Sequence, residues 1–242
     1  MRWLVALFMV VAGLQGTVAS VLAWEQEPGD GRFSSVALAD AELAGSIDAR
    51  IELPAFRFAV PFRTQKDGSQ WQGSNCGPAI LGMILDGFGE TGQSTSDLRF
   101  RAHTYQGTVG MRTGTALDHI AHVAEDFGVR THGLYGAGGG WRSWSADDVR
   151  EQLRLGRPVM PLVRLYLLPG YESSLPRWGH YILITGMTED GFFYSDPLQT
   201  DAVNGNGGFM SADRLMRAMQ ASHIPGQAVA FDGAAGLLMA GI

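Results

Sequence analysis

The one cysteine of the chain, Cys76, stands in Ser74-Asn75-Cys76-Gly77-Pro78-Ala79, just ahead of an apolar run. Ile80, Leu81, Ile84, Leu85 and Phe88 recur at helical spacing. Pro78 suits a first helical turn, and Gly87 and Gly89 supply a stop. The spacing therefore puts the thiol at the positive end of a helix dipole. That position favours the thiolate, the form that attacks a carbonyl carbon. The unpaired N–H groups of the same helix end can also receive an oxyanion. By itself an unpaired cysteine is more often a buried, inert thiol, so the chemistry depends on its partners.

Two partners stand farther along. His180 opens a run rich in β-branched and aromatic residues, His180-Tyr181-Ile182-Leu183-Ile184-Thr185-Gly186-Met187. Asp196 ends Gly191-Phe192-Phe193-Tyr194-Ser195-Asp196, just before Pro197. Glu189-Asp190-Gly191 between them is a tight turn, so the two runs predict an antiparallel hairpin. The start of its first strand and the end of its second share one edge of the sheet, within hydrogen-bond reach of each other. A carboxylate there holds the imidazole in one tautomer and stabilises its charged form. If the Cys76 helix packs on that edge, the three groups make a thiolate–imidazolium pair with an orienting acid. Each alone has an ordinary reading: His180 as a core or surface residue, Asp196-Pro197 as a turn. In these three contexts together they are a much rarer combination.

Asn75-Cys76-Gly77-Pro78-Ala79, Gly179-His180-Tyr181-Ile182-Leu183-Ile184-Thr185-Gly186 and Ser195-Asp196-Pro197 occur in that order, preceded by Val60-Pro61-Phe62-Arg63-Thr64-Gln65. In these motifs the sequence resembles the papain-like cysteine peptidases of the double-glycine-leader (bacteriocin-processing) peptidase-like superfamily, over about residues 60–231. The resemblance implies Cys76 as nucleophile, His180 as general base and then acid, and Asp196 as the group that orients His180. It also implies a glutamine upstream of the cysteine whose carboxamide joins the Cys76 N–H in the oxyanion hole. Gln65 fits the lead-in, Gln70 has the six-residue spacing to the cysteine, and Gln72 is near; spacing favours Gln70 slightly. The implied reaction is covalent: thiolate attack on an amide, a tetrahedral oxyanion, a thioester, then hydrolysis. The sequence shows no membrane domain or nucleotide-binding motif beside the peptidase motifs, so a free-standing hydrolase is expected.

The elements that must position these groups follow from local signals. Residues 55–62 alternate like a strand, with Pro61 at its end. Residues 96–105 and 115–127 read as helices, the second with Thr115 as N-cap and Gly128 as its stop. Residues 129–135 read as a short strand, followed by a flexible run of small residues at 136–140. Ser145 and Asp148 form a capping box for a helix to about Leu155, and residues 158–166 read as a strand. Residues 201–208 read as a glycine- and asparagine-rich loop, Ser211 caps a last helix, and residues 228–231 close the sheet. Helices first and an antiparallel sheet after make an α+β fold, which the resemblance narrows to a papain-like one with the cysteine at a helix start.

Composition sets the remaining bounds. At 242 residues and 45% hydrophobic, the chain suffices for one sizeable domain. A net charge of -6 without a basic patch argues against nucleic acid as a partner. Arg2 precedes an apolar run at 3–12, which turns small and polar before Val18-Ala19-Ser20 and Val21-Leu22-Ala23, both similar to signal-peptidase sites. Residues 1–23 are thus expected to be a signal peptide, or a membrane anchor if uncleaved, since no charge appears before Glu25 and the span is near the roughly 20 residues a bilayer needs. Residues 24–55 follow as a spacer or pro-region, 56–233 as the peptidase domain and 234–242 as a C-terminal tail. The expected location is secreted, periplasmic or cell-surface, and the expected partner a peptide or protein substrate. A lone cysteine excludes an intrachain disulfide framework. The alternatives are a silent peptide- or cell-wall-binding module on the same fold, or an acyl or isopeptide transferase.

No cofactor or metal is expected. His119, His122 and Glu125 lack zinc-protease spacing, and Asp201, Asn204 and Asn206 lack the rest of a calcium loop. Trp71, Trp141, Trp144 and Trp178 flank the proposed site and serve either a substrate groove or the core.

Overall fold

The Cys76 run forms helix α1 (Cys76–Gly87) in the computed structural model, which describes residues 55–174 and 178–240. The expected signal segment, and all but the last residue of the expected spacer, lie outside the described residues. Every residue from Gly77 to Leu85 is buried, so α1 is a central helix, apolar on all sides, and not a surface helix with one stripe. Helix α2 (Thr95–Gln106) starts at a Ser94–Asp97 capping box, and α3 (Leu117–Asp126) packs beside both. Gly82 in mid-helix leaves room for the Arg63 guanidinium, which a Cβ there would approach to 2.5 Å. Arg63 in turn forks onto Asp86 at 2.6 and 2.7 Å and ties the lead-in to the end of α1.

Thr115 does not cap α3. The N-cap is Ala116, and the Thr115 hydroxyl instead meets His103 Nε2 at 3.1 Å. A buried imidazole needing a partner outcompetes the orphan N–H groups of a helix end.

The strands are β1 (Phe56–Phe58), β2 (Arg130–His132), β3 (Val159–Arg164), β4 (Gly179–Tyr181), β5 (Leu183–Met187), β6 (Gly191–Ser195), β7 (Gly208–Ser211), β8 (Ala228–Asp232) and β9 (Met239–Ala240). All their pairings are antiparallel, in the order β2-β8-β3-β5-β1-β9, with β4 on β3 and β6 and β7 continuing from β5. Helices α4 (Ala146–Arg154), α5 (Ala202–Asn206) and α6 (Ala212–Gln220) complete the fold. The core joins α1 to the sheet through Ile80, Leu81, Ile84, Val159, Met160, Ile184, Phe192 and Phe231.

Several expectations change at this level. The run 180–187 is two strands interrupted at Ile182: β4 pairs with Leu162–Arg164 of β3, and β5 pairs with β6, with β1 and, at Val159, with β3. The loop at 201–208 contains α5, capped by Asp201, whose carboxylate takes the Asn204 N–H and is thereby occupied. Residues 208–211 pair with β6 as a strand, and Met239–Ala240, within the expected tail, pair with β1. Gly186 is required where β5 pairs with β1, because a Cβ there would run into the Phe56 carbonyl and the Arg57 backbone.

Candidate active site

Cys76 occupies the first turn of α1, half-buried, with Asn75 before it fully buried. Asn75 does not cap the helix. Its Nδ2 donates to Asp67 Oδ2 at 2.9 Å, and its Oδ1 accepts from Arg99 at 3.1 Å. No acid stands in the first turn either, so the positive helix end faces the sulfur uncompensated. Arg99, on α2 and 4% exposed, also donates to the carbonyls of Ser74, Met111 and Thr113 and lies under the Trp71 ring at 5.1 Å. It fastens the loop before Cys76 to the loop before α3. Nothing in the local pattern around Arg99 marks it, since its acceptors are backbone groups from two distant loops.

His180 lies in the middle of β4 and Asp196 one residue past β6. His180 Nε2 meets Asp196 Oδ1 at 2.8 Å with both side chains buried. The same imidazole is coupled to the Cys76 thiol, each raising the tendency of the other to be charged. Asp196 is held from three further directions. Its Oδ1 accepts the Leu198 N–H at 2.9 Å, its Oδ2 accepts the Tyr171 hydroxyl at 2.7 Å, and its own N–H donates to the Gly205 carbonyl at 2.7 Å. Gln199 Nε2 donates to the Tyr171 oxygen at 2.7 Å. Tyr171 and Gln199 carry no sequence signal, as both lie in irregular segments.

The titrations shift in opposite senses, as an ion pair requires. Burial pushes the Cys76 thiol up, but the His180 hydrogen bond and charge, with the backbone N–H groups of Tyr181 and Gly77, bring it below its ordinary value. Burial pulls His180 down, but Asp196 and Cys76 hold it well above the usual imidazole range. Burial raises Asp196, and His180, Tyr171 and Leu198 outweigh that and lower it.

Cys76 opens into a cleft of about 360 Å³ walled by Thr115, Leu117, Trp141, Leu162 and Tyr181. Trp141 stacks on Tyr135 at 4.9 Å across the glycine run, which is closed by a Gly136 N–H to Gly140 carbonyl bond of 2.9 Å, a turn and not a free hinge. Trp144 belongs to the core, with its indole N–H on the Gly133 carbonyl at 2.7 Å, while Trp178 is exposed. The three glutamines separate clearly. Gln65 is 3% exposed, its N–H donates to the Pro197 carbonyl at 2.7 Å, and its Nε2 donates to the Gln72 carbonyl at 2.9 Å. Gln70 and Gln72 are exposed, and Gln70 lines a different hollow, with Trp71 and Phe100. The spacing that favoured Gln70 thus selects an exposed residue outside the lining of the Cys76 cleft. Among the described residues no three His, Cys, Asp or Glu side chains gather as a metal site, and His122 packs on the Tyr105 ring at 4.5 Å.

Comparisons with known proteins bear on the family and the fold. A search of curated proteins finds no significant match. Among solved structures, a C39-like peptidase from Bacillus anthracis superposes with a TM-score of 0.50 at 14% identity, covering 74% of this chain and 98% of that one. At that identity the likeness concerns the fold. The peptidase domain of Streptococcus ComA, a bifunctional ABC transporter involved in quorum sensing, matches at 18% identity and a TM-score of 0.49, covering 72% of this chain and 99% of that one. A double-glycine-motif protease from an AMS/PCAT transporter, in complex with the leader peptide, matches at 14% identity and a TM-score of 0.44, covering 75% and 100%. Residues 58–209 match the model of the Peptidase_C39 like family. That match spans more than half of the sequence and includes Cys76, His180 and Asp196, so the chain belongs to the Peptidase_C39 like family.

Proposed function

We propose that this chain is an exported cysteine hydrolase that cleaves peptide bonds through Cys76, His180 and Asp196. The observation that carries the reading is the hydrogen-bonded line from His180 through Asp196 to Tyr171, with the Cys76 thiol coupled to His180 at the wall of a cleft. The Cys76 thiolate attacks the substrate carbonyl carbon, forming the S–C bond and an oxyanion. The Cys76 backbone N–H, free of an intrahelical partner, and the Gln65 carboxamide receive that oxyanion. The burial of Gln65 beside residues 197–199 supports it over the exposed Gln70. The C–N bond then breaks as His180 gives its proton to the leaving amine. Water attacks the thioester with His180 as base, the S–C bond breaks, and the thiolate–imidazolium pair returns. The substrate class is peptide or protein, and export rests on the character of residues 1–23.

Iodoacetamide labelling tests the reading directly. Cys76 in the folded mature protein is expected to react faster at pH 6 than in the urea-unfolded chain, and His180→Ala is expected to abolish the advantage. Equal rates in folded and unfolded chains would overturn it and leave a silent binding module. Export is tested by the mature N-terminus, expected near Val21 or Trp24.

A further inference from the structure

The Cys76 cleft holds a polar group that the chemistry above does not use. Gln227 lines its far wall, is 1% exposed, and its Nε2 has no hydrogen-bond partner among the described residues. A donor buried without a partner is costly, and native proteins keep few of them.

Its place follows from the sheet. The Leu162 N–H donates to the Gln227 carbonyl at 2.9 Å, carrying the β3–β8 pairing one residue past Pro161 opposite Ala228. Leu162 also stands opposite Tyr181 of β4. Gln227, Leu162 and Tyr181 are therefore abreast on three adjacent strands, and all three line the cleft. The Tyr181 backbone N–H, like that of Gly77, acts on the Cys76 thiol, and Tyr181 and Cys76 line the same cleft. Neighbouring strands lie about 4.8 Å apart, so Gln227 stands about 10 Å from Tyr181, and an extended peptide covers this in about three residues. The cleft lining contains no Lys, Arg, Asp or Glu. Trp141 and Ile224 flank the site with apolar surface.

We propose that Gln227 is a substrate-binding residue: its Nε2 donates a hydrogen bond to a neutral carbonyl of the bound peptide about three residues from the bond cleaved. The carbonyl is either a backbone amide or an Asn or Gln carboxamide. The proposal rests on the hydrolase reading.

The test uses two series of alkylating peptides that extend in opposite directions from Cys76. These are N-acetyl-Xaa-Ala-Ala-chloromethyl ketones and bromoacetyl-Ala-Ala-Xaa-amides, with Xaa as Gln, Leu or Ala. Both form a C–S bond with loss of halide, and iodoacetamide serves as the control too small to reach Gln227. In one series Gln227→Leu and the near-isosteric Gln227→Met are expected to slow alkylation about five- to tenfold, the worth of one neutral hydrogen bond. The iodoacetamide rate should stay unchanged. Slowing for every Xaa identifies a backbone carbonyl, and slowing for Gln alone a carboxamide. The urea midpoint should not fall, because the replaced donor has no protein partner. Unchanged peptide rates in both series, or a fall in iodoacetamide rate and urea midpoint together, would overturn the assignment. Should iodoacetamide react no faster with the folded than with the unfolded chain, the hydrolase reading fails separately. Gln227 is then tested by the affinity of the Cys76→Ala protein for Ala-rich hexapeptide amides containing Gln or Leu. A five- to tenfold weakening on adding Gln227→Leu supports the site, and equal affinity overturns it.

Discussion

Asp196→Asn separates the charge of the orienting acid from its shape. Asp196 is 3% exposed and takes donors on both oxygens: His180 and Leu198 on Oδ1, Tyr171 on Oδ2. Asparagine has the same volume, and its carbonyl can keep the two donors of Oδ1. Its NH2 then faces the Tyr171 hydroxyl, which can turn to accept, as it already does from Gln199. The geometry therefore survives while the charge is lost. A hydrogen bond to a charged group is worth about 1.5–3 kcal/mol against about 0.5–1.5 for a neutral one. The difference, about 1–2 kcal/mol, falls on the imidazolium, and at 1.36 kcal/mol per unit it lowers the His180 pKa by about one unit. The Cys76 thiolate leans on that imidazolium, so its own pKa rises. The assay is the iodoacetamide rate as a function of pH. The acid limb, where the thiolate is protonated, is expected to move up by about one unit, with rates below it down about tenfold and the alkaline plateau retained. An acid limb that stays in place while the protein remains folded would refute the idea that Asp196 acts through the charge of His180.

Four further outcomes are expected. Gln65→Ala should lower the acylation rate about 10²–10³-fold, the usual cost of one oxyanion donor, while Gln70→Ala should leave it near wild type, both by single-turnover kinetics on a peptide substrate. Arg99→Met should lower unfolding stability by about 1–3 kcal/mol in urea, since it removes the buried donor that ties the carbonyls of Ser74, Met111 and Thr113 together, and Arg99→Lys should not restore it, lacking the planar fork. Gly186→Ala should cost about 1–3 kcal/mol by calorimetry, because the new Cβ meets the backbone of β1. Asp196 is more acidic folded than its usual 3.8, so its contribution is present above that value and lost as pH falls through the folded one. The acid fall of the urea midpoint should accordingly be shallower in Asp196→Asn.

The legible features of this chain are those that depend on near neighbours in sequence. The start of α1 at Cys76, the capping boxes at Ser145 and Ser94–Asp97, the Ser211 cap and the tight turn before Gly191 all arise within a few residues. Of these, the Ser94 cap alone is not predicted: the sequence predicts that helix over residues 96–105. The meeting of His180 with Asp196 was also legible, because one turn and two strands of similar length bring their ends together. The break at Ile182, between β4 on β3 and β5 on β6, is not legible, because β-branched residues suit every partner equally. Nor are β7 and β9 legible, for the same reason: short strands exist by virtue of a partner.

From the order of its residues alone, the chain determines which groups are candidates for chemistry: one thiol at a helix start, one imidazole, one carboxylate, and a lead-in containing glutamine. Only the tertiary structure decides which glutamine is buried beside them, that Tyr171 and Arg99 brace the site, and that Gln227 faces the cleft. Reactivity and helix capping are properties of local covalent and backbone chemistry. Burial and hydrogen-bond partnership across distant segments are settled by packing, which linear spacing does not encode.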